Sequence, residues 1–348
     1  MAIASTGMDL VSAQGLWEPL PGWLNTASYG LPPRPAWEAL QVSLADWRVG
    51  RTSWEGWDES TARARAAYAR LIGVPATDVA VGSAVSQVVA PVAAAVPAGT
   101  RVVVPELDFT SIVFPWLAHG LDVVAVPVDK LAGAVAAGAG VVAFSLVQSA
   151  DGTIAAYEEI VAAARSVGAL VVVDATQACG WLPFDGSRAD AVVTGGYKWL
   201  MGPRGTAYGY FAPELRERMT PSAAGWYAGE DVHGAYYGPP LRLATDARRF
   251  DISPAWHSFV GAAPALELIE EIGVDAIHDH NVRLADRFLA GLDRPPAGSA
   301  IVTVDVPDAQ AKLARAGIRA AVRAGRVRAS FHVYTTDADV DLALEALR

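Results

Sequence analysis

The segment 169–174 reads ALVVVD, and the segment 190–205 reads DAVVTGGYKWLMGPRG. The first is a continuous apolar run that ends in Asp174, which is typical of a buried parallel strand with an acid at its carboxyl end. The second holds another apolar run, at 191–194, and then a glycine-flanked loop that carries Lys198. Because ligands of open α/β sheets bind at the carboxyl ends of the strands, we expect Asp174 and Lys198 to face one site.

A strand-end aspartate and a lysine on a nearby loop are the pair of side chains that pyridoxal 5′-phosphate (PLP) needs. The lysine amine bonds to the cofactor aldehyde, and the carboxylate keeps the pyridine nitrogen protonated so that the ring accepts electrons. Taken singly, the aspartate can be a helix cap and the lysine a solvated loop residue. Together they predict a PLP enzyme with Lys198 and Asp174 as its catalytic residues.

Three segments of the chain resemble the class V aminotransferase family. They read DATQACGWLPFD from Asp174, DAVVTGGYKWLMGPRGTAYGYF from Asp190 and VRASFHVYTTDADVDLALEAL from Val327. The resemblance extends from Leu24 to the C-terminus. The family includes cysteine desulfurases, kynureninases, isopenicillin N epimerase-like proteins and the carbon–sulfur lyase of ergothioneine biosynthesis. It implies an aspartate aminotransferase-like architecture of fold type I.

The middle of the chain repeats a strand–helix pattern, which predicts an α/β fold with a mostly parallel seven-stranded sheet between helices. The strand candidates are 79–81, 101–104, 122–126, 141–145, 170–174, 191–194 and 206–211. Helices are expected at 83–95, 110–119 and 157–167.

The C-terminal third predicts a small α+β domain. We expect helices at 262–277, 281–293, 309–316 and 337–347, the last capped by Asp337, and strands at 299–306 and 326–333. The expected organisation is an N-terminal segment, 1–30, that packs with the small domain, a large PLP-binding domain, 31–240, and the small C-terminal domain, 241–348.

The cofactor phosphate needs backbone amides and hydroxyl groups. Gly82-Ser83-Ala84, between a strand and a helix, offers a glycine turn leading onto a helix N-terminus, which is a ready anion site. The tripeptide is equally typical of an ordinary helix start. Ser83 and Ala84 are therefore candidate phosphate contacts, and Thr194 is a further one.

The resemblance implies roles for four more cofactor residues. Tyr197, next to the lysine, matches the phosphate-binding tyrosine of kynureninases, and Phe109 matches their ring-stacking phenylalanine, although plain core packing also explains a phenylalanine there. Gln177 matches the side chain that hydrogen-bonds near the phenolic oxygen of the cofactor. Ser149 stands where the family often has asparagine beside that oxygen.

The resemblance also implies a homodimer and a site for an amino-acid substrate. Ser253, in RRFDISPAW, resembles the segment that reaches the phosphate in the neighbouring subunit, and Trp226 is a weaker candidate for the same contact. Arg328 matches the arginine that binds the substrate carboxylate, a task suited to a planar guanidinium. Asn25 resembles the substrate side of the N-terminal segment.

The sequence departs from the desulfurase pattern at its defining residue. The segment before the Arg328 strand, 318–327, contains no cysteine. Without that thiol, the lysine can remove a Cα proton and the site can expel a β-substituent, move the amino group or return the proton. We expect a Cβ–S lyase of the ergothioneine type, which, with a reductant, converts hercynylcysteine sulfoxide to ergothioneine, pyruvate and ammonia.

Several alternatives stay open. They are an aminotransferase, a cysteine or selenocysteine lyase, an epimerase-like enzyme, and a PLP-binding homologue without activity. Six aromatic residues could line a pocket for a bulky substituent, or could equally be ordinary core and surface residues: Trp54, Trp57, Trp226, Tyr227, Tyr236 and Tyr237.

The composition of the chain limits the kinds of partner and the cellular compartment that we expect for it. A formal charge of −10, from 27 basic and 37 acidic residues, argues against nucleic-acid binding. The single cysteine, Cys179, excludes an intrachain disulfide and fits a reducing cytoplasm, and the six histidines lack metal-ligand spacing. Two uncharged stretches, 79–100 and 131–150, are broken by glycine and are interpreted as buried α/β elements rather than membrane spans. With no signal-peptide pattern, we expect a cytoplasmic protein.

Overall fold

The computed structural model describes residues 8–323 and 325–348. A seven-stranded sheet has the order β1-β7-β6-β5-β4-β2-β3. The strands are β1 (Val79–Gly82), β2 (Arg101–Pro105), β3 (Asp122–Val126), β4 (Val141–Ser145), β5 (Leu170–Asp174), β6 (Ala191–Gly195) and β7 (Ala207–Phe211). Strand β7 is antiparallel to both of its neighbours, and the other six strands run in one direction. The predicted α/β fold of type I, with a mostly parallel seven-stranded sheet, is confirmed.

Twelve helices are present in the described part of the chain. They are α1 (Leu10–Gln14), α2 (Arg34–Arg48), α3 (Trp54–Leu71), α4 (Val85–Ala94), α5 (Thr110–Ala118), α6 (Leu131–Ala136), α7 (Tyr157–Val167), α8 (Pro213–Arg216), α9 (Trp256–Ile272), α10 (Val274–Ala290), α11 (Ala309–Arg315) and α12 (Asp337–Leu347).

Both faces of the large sheet are covered, which explains why its strands are continuous apolar runs. In β5, Val171 and Val173 pack into one apolar layer with α3, α6, α7 and α9. Val172 faces the opposite layer, which α4 and α5 supply. The uncharged stretches 79–100 and 131–150 fold as β1 with α4 and as α6 with β4. Within the described ranges, no helix combines the length and the apolar character needed to cross a membrane.

A smaller antiparallel sheet has the order β8-β10-β9. Its strands are β8 (Ile301–Val304), β9 (Ala321–Arg323) and β10 (Arg326–Ser330), of which β9 lies outside the sequence-based expectation. Strands β8 and β10 share an apolar core with α10, α11 and α12. Leu24 of the N-terminal segment enters this core, and its carbonyl accepts a hydrogen bond from the Ser330 amide.

Several boundaries in the C-terminal third differ from the expectation, and α9 begins at Trp256 rather than at residue 262. Gly273, with φ of +91°, separates α9 from α10, so the break lies several residues earlier than the sequence indicated. The N-cap of α12 is Thr336 instead of Asp337, because Thr336 and Asp339 form a reciprocal capping box. Strand β10 ends at Ser330.

The division of the chain into units stays a proposal, which the packing of α9 refines. Helix α9 packs against α2 and α3 and belongs to the apolar layer of the large sheet. We therefore propose that the small unit begins near Gly273 rather than at residue 241. The proposed N-terminal segment, 1–30, starts before the described residues. Its described part forms isolated bridges from Asn25 to Ser330 of β10 and from Trp23 to Arg319, two residues before β9.

Candidate active site

The carboxyl ends of the strands surround one cavity that contains most of the predicted site residues. Asp174 ends β5, and Lys198 lies on the loop that follows β6. The predicted residues that line the cavity are Ser83, Ala84, Phe109, Ser149, Asp174, Gln177, Tyr197 and Lys198. Val85, Ser111, Ser145, Thr176 and Arg204 line it as well.

Asp174 is a buried carboxylate without a cationic hydrogen-bond partner among the residues described. Its Oδ1 accepts the Thr176 amide at 2.8 Å. Burial raises the pKa of Asp174 to about 6, although the Thr176 hydrogen bonds oppose this increase. A cationic ring nitrogen would return this carboxylate to its charged form, so the position fits the requirement of a pyridinium.

Lys198 is buried and lines the same cavity. Its Nζ lies 5.3 Å from the Phe109 ring centroid and 5.7 Å from that of Tyr197. Burial lowers the pKa of Lys198 to about 8; the charge of Asp174 opposes this effect and that of Arg328 reinforces it. With a pKa of about 8, roughly a tenth of the amine is unprotonated at pH 7, far more than for an exposed lysine, which favours its use as a nucleophile and base.

The N-terminus of α4 provides an anion cradle at the same cavity. In the described part of the chain, no side chain caps its first turn, so the amides that follow Ala84 have no side-chain acceptor there. The Ser83 amide is already bound to Gln87 Oε1 at 3.0 Å, so Ser83 offers its hydroxyl group instead. The arrangement fits a phosphate group.

Gln177 is held differently from the sequence-based expectation. Its Nε2 donates to the Ala27 carbonyl and to Ser149 Oγ, each at 3.0 Å. Its Oε1 accepts from Trp199 Nε1 at 2.8 Å. Both amide hydrogens are committed, so Gln177 can donate to a ligand only by releasing one of these bonds. Ser149 Oγ accepts from Gln177 and from Arg328, which leaves the Ser149 hydroxyl hydrogen for an acceptor in the cavity.

Arg328 lies on β10 behind Ser149 and is fully buried. Its guanidinium donates to the carbonyl and hydroxyl oxygens of Ser149 and to Ser28 Oγ. No carboxylate pairs with it in the described part of the chain, and burial lowers its pKa to about 10. A buried guanidinium without a carboxylate favours an anionic ligand.

Besides Arg328, three predicted site residues lie away from the cavity lining. Thr194 Oγ1 hydrogen-bonds to the Tyr68 hydroxyl at 2.9 Å inside the core, so we withdraw Thr194 as a phosphate contact. The buried Oδ1 of Asn25 has no partner among the residues described, and Ser28 is the residue of this segment that meets Arg328. Ser253 is exposed on the segment before α9.

The aromatic residues that were expected to line a substrate pocket form a separate group. Trp54 packs against Trp226 at 5.2 Å between ring centroids, and Trp226 packs against Tyr236 at 5.1 Å. None of the six expected aromatics lines the Lys198 cavity within the described chain. The expectation of an aromatic pocket around a bulky substituent is therefore not met by a single chain.

Asp108, a half-buried acid beside the cavity, was not among the predicted site residues. The Asp108 carboxylate accepts the amide and the hydroxyl of Ser145, which stands opposite Asp174 in the sheet register, and a bond from Gln148. These bonds tether the loop that carries Phe109 to the end of β4. The acid in PELDFTS, directly after a strand, was the visible signal.

Fold and site together define a PLP-binding protein of fold type I. Residues 55–314 match the family model described as aminotransferase class-V. The chain therefore belongs to the class V aminotransferase family, and its cofactor is PLP. The residues present fit this cofactor, because a lysine, a strand-end carboxylate and an uncapped helix N-terminus converge on one cavity.

Curated relatives carry several different names. An uncharacterized aminotransferase, YcbU, of Bacillus subtilis (strain 168) is 31% identical over 66% of this chain and 64% of its own length. A probable cysteine desulfurase of Pyrococcus abyssi (strain GE5 / Orsay) is 30% identical over 60% of this chain and 59% of its own length. Isopenicillin N epimerase of Streptomyces clavuligerus is 29% identical over 88% of this chain and 83% of its own length. The chain thus spans about three fifths of the length of the first two relatives.

Solved structures share the fold over almost the whole chain. The apo cysteine desulfurase of Thermococcus onnurineus NA1 superposes with a TM-score of 0.80 at 25% identity and covers 93% of both chains. The cystine C–S lyase C-DES, in complex with its product cysteine persulfide, gives a TM-score of 0.84 at 22% identity and covers 96% of this chain and 98% of its own. The second likeness concerns the fold alone.

Proposed function

We propose that this protein is a PLP-dependent enzyme that cleaves the Cβ–S bond of a cysteine-derived amino acid by β-elimination. The observation that carries the proposal is that the buried side chains of Lys198 and Asp174 line one cavity. Behind Ser149 of this cavity, the guanidinium of Arg328 pairs with no carboxylate among the described residues. The chain's one cysteine, Cys179, supports elimination over persulfide formation on the enzyme, because it is buried in the core and burial raises its thiol pKa.

Each of the site residues has one role in the proposed reaction. When bound, the cofactor supplies an acceptor for the electron pair released at Cα. Arg328 holds the substrate carboxylate, and Asp174 holds the ring nitrogen protonated. Lys198 removes the Cα proton; the Cβ–S bond then breaks, and sulfur leaves with the bonding pair and takes a proton. The three-carbon fragment adds water and yields pyruvate and ammonia.

A screen of β-substituted amino acids for pyruvate tests the reaction class. Cysteine conjugates should release pyruvate and a thiol with the wild-type protein and with Cys179→Ser, but not with Lys198→Ala. Rapid amino-group exchange between an amino acid and a 2-oxo acid, without pyruvate release, would replace this proposal by an aminotransferase. Loss of sulfide release in Cys179→Ser would instead favour a desulfurase.

For the particular substrate, we propose hercynylcysteine sulfoxide, on the ground of the overall resemblance to the ergothioneine-type lyases. The aromatic group around Trp226 supports this substrate only if it reaches the cavity of a neighbouring subunit. Incubation with the sulfoxide and a reductant should yield ergothioneine, pyruvate and ammonia. If S-alkyl cysteines turn over and the sulfoxide does not, the lyase class stands and this substrate is wrong.

We further propose that the protein is a homodimer with shared active sites. Helix α2 exposes the apolar side chains of Trp37, Leu44 and Trp47. A groove that includes Trp37 and Leu40 reaches Tyr197 and Arg204, which also line the cavity. Light scattering should give twice the mass of one chain. Mixing Lys198→Ala with Ser253→Ala should restore part of the activity, and a monomeric mass with no restoration would contradict the dimer.

A further inference from the structure

Five side chains form a closed ring of contacts beneath the lysine loop. Arg328 Nη1 donates to Ser149 Oγ at 3.1 Å, and Gln177 Nε2 donates to the same oxygen at 3.0 Å. Trp199, the residue after the lysine, donates its Nε1 to Gln177 Oε1 at 2.8 Å. His332 and the carbonyl of Trp199 are 2.9 Å apart. The backbone from Arg328 to His332 closes the ring.

His332 enters this ring as a neutral donor. The Trp199 carbonyl can only accept, so the hydrogen must be on Nε2 of the imidazole. His332 is fully buried, and burial lowers its pKa to about 4, with His280 reinforcing the decrease. Its Nδ1 meets no hydrogen-bonding group in the described residues. His332 therefore stays uncharged, and its donor is fixed, wherever the enzyme is folded near neutral pH.

The loop that carries the lysine needs such support. Met201 has φ of +56°, a conformation that a non-glycine residue keeps only when its surroundings hold it there. The Met201 amide bonds to the Lys198 carbonyl at 3.1 Å. From outside the loop, the Gly30 amide donates to the Tyr197 carbonyl at 3.0 Å, and His332 meets the Trp199 carbonyl. The lysine is thus held on both sides along the chain.

We propose that His332 is a positioning residue, whose hydrogen bond to the Trp199 carbonyl keeps the side chain of Lys198 inside the cavity. The inference rests on the proposed function only in taking Lys198 as the cofactor-linked base. Arg328 lies in the same ring, so one strand end of the small unit orients both the amine and the group that would bind the substrate carboxylate.

Uptake of PLP by the apo-protein, followed by absorbance from neutral to alkaline pH, tests the role without any amino-acid substrate. Wild-type uptake should rise with a midpoint near the Lys198 pKa of about 8. In His332→Leu the amine moves toward solvent, so the midpoint should rise toward the ordinary value of 10.5 and uptake at neutral pH should fall about tenfold. The other charges that face the amine stay in place: Asp174, Arg204, Arg323 and Arg328.

Two further variants separate positioning from general stability. His332→Gln keeps a donor near the position of Nε2 and should restore the wild-type midpoint, whereas His332→Asn is too short and should not. His280→Leu removes a second buried histidine, whose Nε2 lies 3.0 Å from the Thr335 carbonyl, and should leave the midpoint unchanged. A wild-type midpoint in both His332→Leu and His332→Asn, or an equal shift in His280→Leu, would overturn the proposal. Absence of lyase turnover would not affect this assay.

Discussion

Gly30 and Lys198 approach each other so closely that no side chain fits at residue 30. A Cβ built on Gly30 would lie 1.9 Å from the Lys198 carbonyl oxygen, and the Gly30 amide already donates to the Tyr197 carbonyl. The N-terminal segment therefore packs directly on the backbone of the lysine loop. Its contact with the small sheet through Leu24 makes this segment a link between the small unit and the site.

Gly30→Ala should disrupt the lysine loop. The backbone must move to admit the methyl group, and overpacking of this kind costs about 1–3 kcal/mol of unfolding free energy. We expect a lower melting temperature and strongly reduced PLP binding, measured by thermal denaturation and by absorbance. Gly56→Ala is the matched control, because a Cβ there meets no atom within 4 Å. Equal behaviour of the two variants would contradict the close contact.

Asp174→Asn should preserve the fold and weaken the cofactor site. A neutral amide cannot stabilise a charged ring nitrogen, and a charge-assisted hydrogen bond contributes about 1.5–3 kcal/mol. We expect PLP affinity to fall by roughly one to two orders of magnitude and Cα proton exchange, followed by NMR in deuterated water, to fall further. Asp122→Asn, at an exposed position where β3 begins, is the control. Near-normal proton exchange would mean that Asp174 is only a strand-end cap.

Lys198→Met should stabilise the apo-protein. Folding lowers the Lys198 pKa from 10.5 to about 8, so the buried ammonium destabilises the folded state fully below pH 8, and this effect disappears as the pH rises through 10.5. Asp174 opposes the penalty, which leaves an expected gain of about 1–3 kcal/mol at neutral pH. Urea denaturation should show this gain shrinking toward pH 10. A constant or negative difference across this range would contradict the buried charge.

Arg328→Lys should separate substrate binding from cofactor binding. An ammonium group cannot reproduce the planar contacts of the guanidinium to Ser149 and Ser28. It also lacks the two parallel N–H groups with which a guanidinium binds a carboxylate. We expect KM for an amino-acid substrate to rise about tenfold or more, with the PLP absorbance spectrum nearly unchanged. Exposed Arg326→Lys, on the same strand, is the control. Loss of PLP binding, with KM unaffected, would assign Arg328 to the cofactor instead.

The sheet and the central pair of site residues were predictable because their signals are local. There are two apolar runs, one that ends at Asp174 and one that precedes Lys198, and each is only a few residues long. The carboxyl ends of parallel strands meet at one edge of a sheet wherever the helices are placed. Ser83 could be assigned in the same way, since it directly follows β1. Phe109, Ser149 and Tyr197 were assigned from the resemblance of their segments to the class V family.

The break at Gly273 and the membership of α9 in the large unit depended on packing. The amino-acid pattern is helical on both sides of Gly273, from 256 to 290, so periodicity could place the helices only approximately. Which sheet α9 covers is decided by its contacts with α2 and α3. These helices lie some two hundred residues earlier in the chain, for example where Arg63 meets Glu267, a separation of 204 residues.

By itself, the sequence determined the fold type, the cofactor and the Asp174–Lys198 pair, because each follows from local pattern or from motifs within a short stretch. The tertiary structure decided how Lys198 is held. It joins Trp199 to His332 across 133 residues and Gln177 to Ala27 across 150. In the folded chain, both amide hydrogens of Gln177 are bonded to protein groups, and Thr194 bonds to Tyr68 in the core. Arg328 is buried with no carboxylate partner among the described residues. Whether a side chain is buried and has all its hydrogen bonds filled depends on which residues, distant in the sequence, pack against it. No local sequence pattern specifies these contacts.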